Sequence, residues 1–389
     1  MGYVSVMRFL SPARIGRFVL AAGVWSLVSA LAHGQLSFTR LGALSYPTDV
    51  ASDGTSVIGR NYPGYDLLRW SKESGAVFLK GNALAIGTSA NGQTVVATTL
   101  GASVGNSDTI HKWTATEGFL TIAANQGGYL AATGLSGDGQ ITVGNLGLQA
   151  VRWIGTTPEL LGTLPGGSTS FARAISEDGK TIVGYGGTAD PNVPHAFRWT
   201  ESTGMIDMGL LGGATSVASN VSADGAFIVG HGVRADQRGI TAFIWNEATG
   251  HTTLGPGMPV AVSTDALVVG SYYPGGNQLE QGFLWSPESG FRAFPSVLTG
   301  DYGFGAELDD WQNLIPTEMS SDGRYIVGYG LSVEGLTEGW LLDRGLNPPD
   351  ITPGFAPVPE PSAFGVVGAA LLVGVVFVNL RRRKRASCA

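Results

Sequence analysis

The most constraining feature of this 389-residue sequence is a module that recurs seven times between residues 37 and 343. Each copy contains Ser-x-Asp-Gly or a close variant, then an apolar run that usually ends in Val-Gly, and later an aromatic-x-Trp segment. The turn dipeptides are Asp53-Gly54, Asn91-Gly92, Asp138-Gly139, Asp178-Gly179, Asp224-Gly225, Asp265-Ala266 and Asp322-Gly323. A spacing of about 44 residues indicates one small structural unit that is copied and packed against its neighbours.

The fourth copy predicts four antiparallel strands, at 171–176, 181–185, 195–199 and 205–210. Asp178-Gly179 is expected to form a tight hairpin turn, because both residues tolerate positive φ. The third strand alternates as a half-buried strand should, since six of the seven residues two positions before the Trp or its equivalent are apolar. They are Leu68, His111, Val151, Phe197, Phe243, Phe283 and Trp340. A helical repeat is disfavoured by the frequent glycine and β-branched residues.

Four strands in each of seven copies predict an all-β chain that forms a seven-bladed β-propeller. The last copy stops at Asp343 without a fourth strand, whereas residues 37–42 match the pattern of the missing strand. We therefore expect this first strand to complete the last blade, which would remove an exposed sheet edge. An open β-solenoid is the alternative, and it would leave the first and last copies far apart.

The C-terminal segment 358–385 predicts a membrane helix. A polar motif at 358–362 precedes an unbroken apolar run at 363–380, and a basic stop at 381–385 follows. At about 1.5 Å per residue, a helix over this run would match the hydrocarbon thickness of a bilayer. The basic stop should stay in the cytoplasm, and it consists of Arg381, Arg382, Arg383, Lys384 and Arg385.

The N-terminal residues 1–32 predict a secretory signal peptide, with three arginines before an apolar helix that ends in small residues. Because both basic ends prefer the cytoplasm, the body between them must lie across the membrane. Residues 344–357 are rich in proline and predict an extended spacer between the body and the membrane.

The three-part tail resembles the PEP-CTERM sorting signals of Gram-negative bacteria. The resemblance implies that an exosortase, an integral-membrane cysteine protease, cleaves near the motif and releases or transfers the protein. Pro359, Glu360 and Pro361 would then be recognition residues of a substrate and not catalytic residues. An ordinary C-terminal anchor is the alternative interpretation of the same segment.

The repeated modules resemble HAF-repeat proteins, a family of extracellular bacterial repeats. The strongest matches are the segments 175–179, 195–199 and 210–213, and the segment 298–303 with Trp311 and 319–328 resembles the closing stretch of such proteins. The resemblance implies secretion and a propeller fold, and it brings no established activity. The sixth copy departs from the pattern because it lacks the turn glycine, and the first two copies lack the Leu-Gly-Gly element.

Composition excludes several functions. Charged residues make up 14% of the chain and glycine accounts for 59 residues, which is typical of extracellular β-rich proteins. Without its basic head and basic stop, the body has a net charge near −15, so a nucleic-acid partner is disfavoured. The only cysteine is Cys388 and the five histidines show no metal-ligand spacing, so we expect no disulfide in the body, no metal and no cofactor.

Three motifs suggest a metal-binding or catalytic role, and each also has a simpler structural explanation. The Asp-Gly turns lie about 40 residues apart, whereas calcium needs about six to eight oxygens at one site, so turn geometry explains them. The segment 101–105 fits the Gly-x-Ser-x-Gly formula but falls between predicted strands, where no nucleophile elbow forms. The insertion 295–316 places acids beside Tyr302 and Trp311, which suits either sugar chemistry or a loop that caps the last blade.

Loop placement predicts a candidate binding face. The loops between the second and third strands should all emerge on the face opposite the Asp-Gly turns, where a rigid scaffold can hold ligand-binding side chains. Solvated loops that merely tolerate variation are the alternative. The candidate residues on this face are Tyr62, Tyr65, Asp190, Arg234, Asp236, Tyr272, Tyr273 and Glu280.

The sequence therefore predicts an exported, exosortase-processed protein of the cell surface or extracellular matrix, whose propeller is a binding or structural module. Expected partners are the exosortase and secretion machinery, the membrane before processing, and polysaccharide or other surface proteins. The alternative is a glycan-active hydrolase or lyase on the same scaffold, although no catalytic residue stands out. An enzyme should show converging carboxylates in the central funnel, whereas seven near-equivalent blades should show none.

Overall fold

The chain forms seven four-stranded antiparallel sheets in a computed structural model that describes residues 36–99, 108–124, 128–190, 192–211, 213–234, 239–275 and 278–345. This architecture confirms the predicted seven-bladed β-propeller. The signal peptide at 1–32, most of the spacer at 344–357, the sorting signal at 358–385 and the segment 101–105 lie outside these residues. Within the described ranges, no helix has the length and apolar character needed to cross a membrane.

Each blade is a meander of consecutive strands, apart from the last. The first strand is β1 (Ser37–Arg40). Blade 1 contains β2 (Tyr46–Val50), β3 (Ser56–Arg60), β4 (Leu67–Ser71) and β5 (Gly75–Lys80). Blade 2 contains β6 (Ala83–Thr88), β7 (Thr94–Thr99), β8 (Thr109–Thr114) and β9 (Gly118–Ala124). Blade 3 contains β10 (Leu130–Leu135), β11 (Ile141–Leu146), β12 (Gln149–Ile154) and β13 (Thr157–Leu160).

The remaining blades follow the same plan. Blade 4 contains β14 (Ser170–Ile175), β15 (Thr181–Gly186), β16 (His195–Thr200) and β17 (Gly204–Asp207). Blade 5 contains β18 (Val217–Val221), β19 (Ile228–Val233), β20 (Ile240–Asn246) and β21 (Gly250–Pro256). Blade 6 contains β22 (Met258–Val262), β23 (Val268–Tyr272), β24 (Gln281–Ser286) and β25 (Gly290–Ala293). Blade 7 contains β26 (Ile315–Met319), β27 (Tyr325–Leu331) and β28 (Thr337–Asp343), and β1 completes it.

The ring is closed by the pairing of the first and last strands. β1 runs antiparallel to β28, with Phe38 opposite Leu342. The ring of Phe38 stacks on Trp340 with a centroid distance of 5.7 Å and contacts the edge of Trp311 at 6.1 Å. This pairing confirms that the first strand completes the last blade, and it excludes the open solenoid.

The Val-Gly signature is explained by close approach of the first two strands of a blade. All seven first strands contain a β-bulge, and in six blades a carbonyl oxygen of that strand lies against a glycine of the second strand. A Cβ atom on these glycines would lie only 2.0–2.4 Å from that oxygen. The glycines are Gly59, Gly144, Gly184, Gly230, Gly270 and Gly328. In blades 5, 6 and 7, the aromatic residue two positions before the Trp position also lies against this glycine. The aromatic side chain therefore fits only where the second strand carries no Cβ atom.

The Ser-x-Asp-Gly turn is a closed hydrogen-bond unit. In blade 3 the Ser136 hydroxyl donates to Asp138 Oδ1 over 2.6 Å and accepts from the Ile141 amide over 2.9 Å. Asp138 Oδ1 also accepts from the Gln140 amide over 2.9 Å, and the Ser136 bond is the main reason that the pKa of Asp138 is lowered. Because Asp138 Oδ1 accepts hydrogen bonds inside its own turn, the structure supports a turn-forming role for this residue.

Neighbouring blades are joined by backbone hydrogen bonds at the same turns. The amide before one turn Asp donates to the equivalent carbonyl of the next blade, as in Ser52 to Ala90, Ala90 to Gly137 and Gly137 to Glu177, each over 2.9 Å. Side chains add to this contact, since the buried guanidinium of Arg152 lies 4.7 Å above the Trp199 ring of blade 4. Hydrogen bonds and side-chain packing therefore join the seven separate sheets at the junctions between blades.

The insertion at 295–316 covers the junction of blades 6 and 7. Its helix α1 (Phe294–Gly300) buries Phe294, Val297 and Leu298 in the core cluster that contains Trp340. Two of its acids are held in ion pairs, with Asp301 bound by Arg292 and Asp310 Oδ2 lying 2.8 Å from Arg40. The capping interpretation of this segment is therefore the one that the packing supports.

Two details differ from the sequence pattern. The fourth strand of blade 4 ends at Asp207 instead of residue 210, because the Asp207 carboxylate turns back to accept from the Gly209 amide over 2.7 Å. In blade 6, Ala266 adopts φ +66° where the other copies have glycine. The backbone geometry of the turn is thus kept without the residue that favours it.

Candidate functional site

The seven first strands surround a central channel whose cavity measures about 280 Å³. The β-bulge in each strand turns one extra side chain toward this channel. Six of these bulged residues line the cavity, and they are Thr48, Ile86, Thr133, Arg173, Ser219 and Val260. Because Arg173 is the only charged residue among these six, the blades do not present equivalent side chains to the channel.

The position after the bulge breaks the symmetry more strongly. Four blades carry a small residue there, at Gly87, Gly134, Ala174 and Ala261. The other three carry Asp49 in blade 1, Asn220 in blade 5 and Glu318 in blade 7. Two carboxyl groups from adjacent blades therefore face the same cavity, beside an amide.

Backbone amides and one side chain hold these carboxyl groups in place. Asp49 accepts from the Val50 amide and, across the blade junction, from the Thr88 amide, each over 2.7 Å. Glu318 Oε1 accepts from the Met319 amide over 3.0 Å, and the Asn220 side chain donates to Glu318 Oε2 over 3.2 Å. Hydrogen-bond donors from four blades, 1, 2, 5 and 7, thus hold the acid pair in a fixed orientation.

The acids lie in a poorly solvated environment. Burial raises the pKa of Asp49 to about 7, against the opposing effect of the Thr88 and Val50 amides. Burial also raises the pKa of Glu318 well above its ordinary value, and the charge of Asp49 adds to the effect. Around neutral pH the pair therefore retains protons that ordinary surface carboxyl groups would have lost.

A third acid closes the turn-side end of the channel. Glu177 of blade 4 accepts a hydrogen bond of 2.6 Å from the Ser52 hydroxyl of blade 1, which spans the channel axis. Both residues occupy the x position of the Ser-x-Asp-Gly turn or its equivalent. The channel consequently has a polar floor at the Asp-Gly face and leads toward the opposite, loop-bearing face.

The wall facing the acid pair contributes basic groups. Arg173 lines the cavity, and its guanidinium lies 5.4 Å from the centre of the Tyr185 ring. Burial first, and the charge of Arg173 second, lower the pKa of His231 to about 4. His231 is therefore a neutral hydrogen-bonding group, and its Nδ1 lies 3.3 Å from the Ser219 hydroxyl.

We expect thermal stability to fall as the pH rises from 6.5 to about 8. The folded-state pKa of Asp49, about 7, exceeds its ordinary value of 3.8. Its contribution to stability is therefore complete below pH 3.8, declines above it and is lost as the pH passes through 7. The lowered pKa of His231 makes stability rise with pH, but only below pH 6.5. A decline in stability above pH 6.5 therefore reports on the acids. Melting temperatures should decline across the window, and Asp49→Asn should flatten the decline.

The matched control is Glu288→Gln, which removes an exposed carboxyl group from a surface turn. That variant should keep the wild-type slope between the two pH values. Equal slopes in wild type and in Asp49→Asn would show that the channel acid does not titrate as described.

The loop face brings together four of the predicted binding residues. Tyr62 and Tyr65 of blade 1 are 61% and 47% exposed, and Tyr273 of blade 6 is 41% exposed. The Tyr273 hydroxyl donates to Glu280 Oε2 over 3.4 Å. Tyr329 of blade 7 lies beside them, with its ring 4.8 Å from that of Tyr46 in blade 1. Burial, and then the charge of Glu280, raise the pKa of Tyr329 to about 12.

The other predicted residues do not join this group. Tyr272 is only 6% exposed and packs edge-on against Phe291 at 5.2 Å, so its ring belongs to the core of blade 6. Asp190 and Arg234 lie in the loops of blades 4 and 5, where Asp190 accepts from the Asn192 amide over 2.9 Å. Asp236 lies outside the described residues.

The channel acids were not predicted from the sequence. Asp49 and Glu318 each stand four residues before their turn aspartate, where the other copies carry glycine, alanine or asparagine. An alignment of the copies at this position would have revealed them, because charge is unexpected on an inner strand. In the part of the chain that the structure describes, no group of three or more His, Cys, Asp or Glu residues is arranged to hold a metal ion.

Comparisons with known proteins find similar folds among solved structures, at low sequence identity. No family model matches the chain, and no curated protein matches it. Similar solved structures include the Swd1 β-propeller domain of Myceliophteria thermophila, with 12% identity, a TM-score of 0.48 and coverage of 79% of this chain and 99% of that chain. TolB from Acinetobacter baumannii has 16% identity and a TM-score of 0.45, and the match covers 63% of this chain and 62% of TolB, less than two thirds of its length.

The propeller domain of the trilobed protease from Pyrococcus furiosus is also similar, with 12% identity, a TM-score of 0.46 and coverage of 64% of this chain and 83% of that chain. That domain is described as having an open velcro topology. Here the terminal strands pair, since β1 joins β28. The chain is therefore a closed seven-bladed β-propeller.

Proposed function

We propose that this protein is an exported module of the cell surface or extracellular matrix that binds its ligand through the loop face of the propeller. Export, exosortase processing and transient anchoring are inferred from the two terminal segments of the sequence. The observation that carries the binding role is the convergence of exposed tyrosines and charged groups from blades 6, 7 and 1 on one sector of that face.

The test is fractionation of cells that make the full-length chain. We expect the protein in the surface or matrix fraction in a form shorter than its precursor. A Glu360→Ala variant should accumulate as the uncut, membrane-bound form, whereas Glu334→Ala, in an exposed turn of the propeller, should be processed normally. Intact wild-type protein in the cytosol would overturn the proposal.

A second candidate is a glycan-active hydrolase or lyase, and one observation favours it. Asp49 and Glu318 converge in the channel, as expected for an enzyme and not for seven near-equivalent blades. A carboxyl group with a raised pKa beside a second acid can serve as a general acid in glycoside cleavage. The channel wall would then hold the acid pair, and Asn220 would orient it.

A reducing-sugar assay with soluble polysaccharides separates the two candidates. The binding module predicts no release of reducing ends by wild type. Release that is abolished by Glu318→Gln and by Asp49→Asn, but retained by Glu288→Gln, would establish the enzyme instead.

A further inference from the structure

One sector of the loop face has the chemistry of a sugar-binding surface, and we call it the tyrosine sector. We propose that it binds a neutral, hydroxyl-rich polysaccharide, an inference that rests on the proposed function and specifies its ligand. The sector consists of Tyr46, Arg60, Tyr62 and Tyr65 of blade 1, Tyr273 and Glu280 of blade 6, and Tyr329 of blade 7.

The rings of the sector are held in place by one another. Tyr46 lies 4.8 Å from Tyr329 and 5.9 Å from Tyr62, measured between ring centroids. The Arg60 guanidinium lies 4.7 Å from the Tyr46 ring and 4.8 Å from the Tyr65 ring. Because tyrosine has few rotatable bonds and these rings contact each other, little conformational entropy is lost when a ligand stacks on them.

The exposed chemistry suits pyranose rings. A pyranose has apolar faces of C–H groups and an edge of hydroxyl groups, so it needs a flat aromatic surface next to both donors and acceptors. Tyr62, Tyr65 and Tyr273 offer the surface. Arg60 offers donors, and Glu280 offers acceptor oxygens on the neighbouring blade.

The charges of the sector favour a neutral chain over an acidic one. Among the residues that the structure describes, the Arg60 guanidinium contacts the Tyr46 and Tyr65 rings and forms no side-chain hydrogen bond or ion pair, so its donors remain open to a ligand. The Glu280 carboxylate, and Asp66 beside Tyr65, balance its charge locally. A polyanion would also meet a body with a net charge near −15, which repels it at low salt.

A protein partner is less well matched. Stable protein interfaces bury about 800 Å² on each side around an apolar centre. The centre of this sector is a guanidinium between two phenol rings. Such a centre can stack on a sugar and donate to its hydroxyl groups, whereas a protein partner would have to supply an acceptor for the guanidinium.

The test measures binding of the purified full-length protein to neutral glucan and mannan oligosaccharides, with oligogalacturonate as the acidic counterpart. At least one neutral probe should bind, with little dependence on salt. The double variant Tyr62→Ala/Tyr65→Ala should weaken that binding by about tenfold or more. Tyr129→Ala removes a 53% exposed tyrosine from blade 3 on the same face, and it should leave binding unchanged.

The outcomes separate this inference from the proposed function. Neutral binding that survives the double variant, or binding restricted to oligogalacturonate, would overturn the tyrosine sector while leaving an exported binding module intact. Failure of every neutral probe, with surface retention lost only when a protein component is removed, would replace the glycan by a protein partner. Cytosolic location of the wild type would instead remove the proposed function itself.

Discussion

Deletion of Ser37–Arg40 should destabilise the propeller by more than about 4 kcal/mol and make it associate with itself. The deletion removes the antiparallel pairing of β1 with β28 and the stack of Phe38 on Trp340. Loss of a large aromatic side chain from a core costs about 3–5 kcal/mol, and Phe38 is only partly buried, so the lost strand pairing supplies the remainder. The exposed edge of β28 would then be free to pair with another molecule.

Chemical denaturation and sedimentation measure the two effects. The midpoint of unfolding should fall sharply, and species larger than the monomer should grow with protein concentration. Phe38→Leu should give an intermediate loss of stability, and Ser37→Ala, at an exposed position, should change little. A deleted chain with the wild-type midpoint would show that β1 does not belong to the fold.

Gly328→Ala should cost about 3 kcal/mol of stability, although it adds a single methyl group. The new Cβ would lie 2.1 Å from the Ile315 carbonyl oxygen and 2.3 Å from the Trp340 ring. Neither group can withdraw easily, because the first is backbone in the adjacent strand and the second is fully buried. Relief requires separation of two strands at their bulge, which tight packing resists.

The control for this substitution is Gly300→Ala. Gly300 ends helix α1, and no atom lies within 4 Å of the position that its Cβ would take. Calorimetry should therefore find Gly300→Ala within about 0.5 kcal/mol of wild type. A Gly328→Ala protein as stable as this control would mean that the glycine signature reflects something other than close strand approach.

Most of the fold could be predicted from the sequence, because each copy repeats the same turn dipeptide and the same alternation of apolar residues. The Asp-Gly turns set the first hairpin of each blade, and the alternation before the Trp sets the buried face of the third strand. Six of the seven residues at that face are buried, with His111 as the partly buried exception. Even the closure of the ring could be inferred, since Phe38 lies in a strand pattern that the last copy lacks.

The details that escaped prediction depend on contacts between distant parts of the chain. The β-bulges have no consistent residue type on the first strand, because the bulged residue varies between blades from the apolar Val260 to the charged Arg173. Without the bulges, the inward direction of Asp49 and Glu318 could not be assigned. Capping by α1 likewise depends on a hydrophobic gap beside Trp340 that only the assembled ring creates.

The candidate site was predicted in part. The loops between second and third strands placed Tyr62, Tyr65, Tyr273 and Glu280 on one predicted face, but they could not show which blades adjoin. Adjacency of blade 7 to blade 1 adds Tyr329 and Tyr46, which lie on strands and not on loops. Closure of the ring therefore creates the tyrosine sector as well as the stability of the fold.

The most direct test of this closure is a cysteine pair in a Cys388→Ser background. Thr39 and Leu341 lie directly opposite each other in β1 and β28, where Cα atoms come within disulfide range. Thr39→Cys/Leu341→Cys should form an intramolecular disulfide under mild oxidation, detected as faster migration on a non-reducing gel. Thr39→Cys/Leu160→Cys, which uses the exposed outer strand of blade 3, should remain reduced. Two accessible thiols in the first pair and no bond between them would contradict a closed ring.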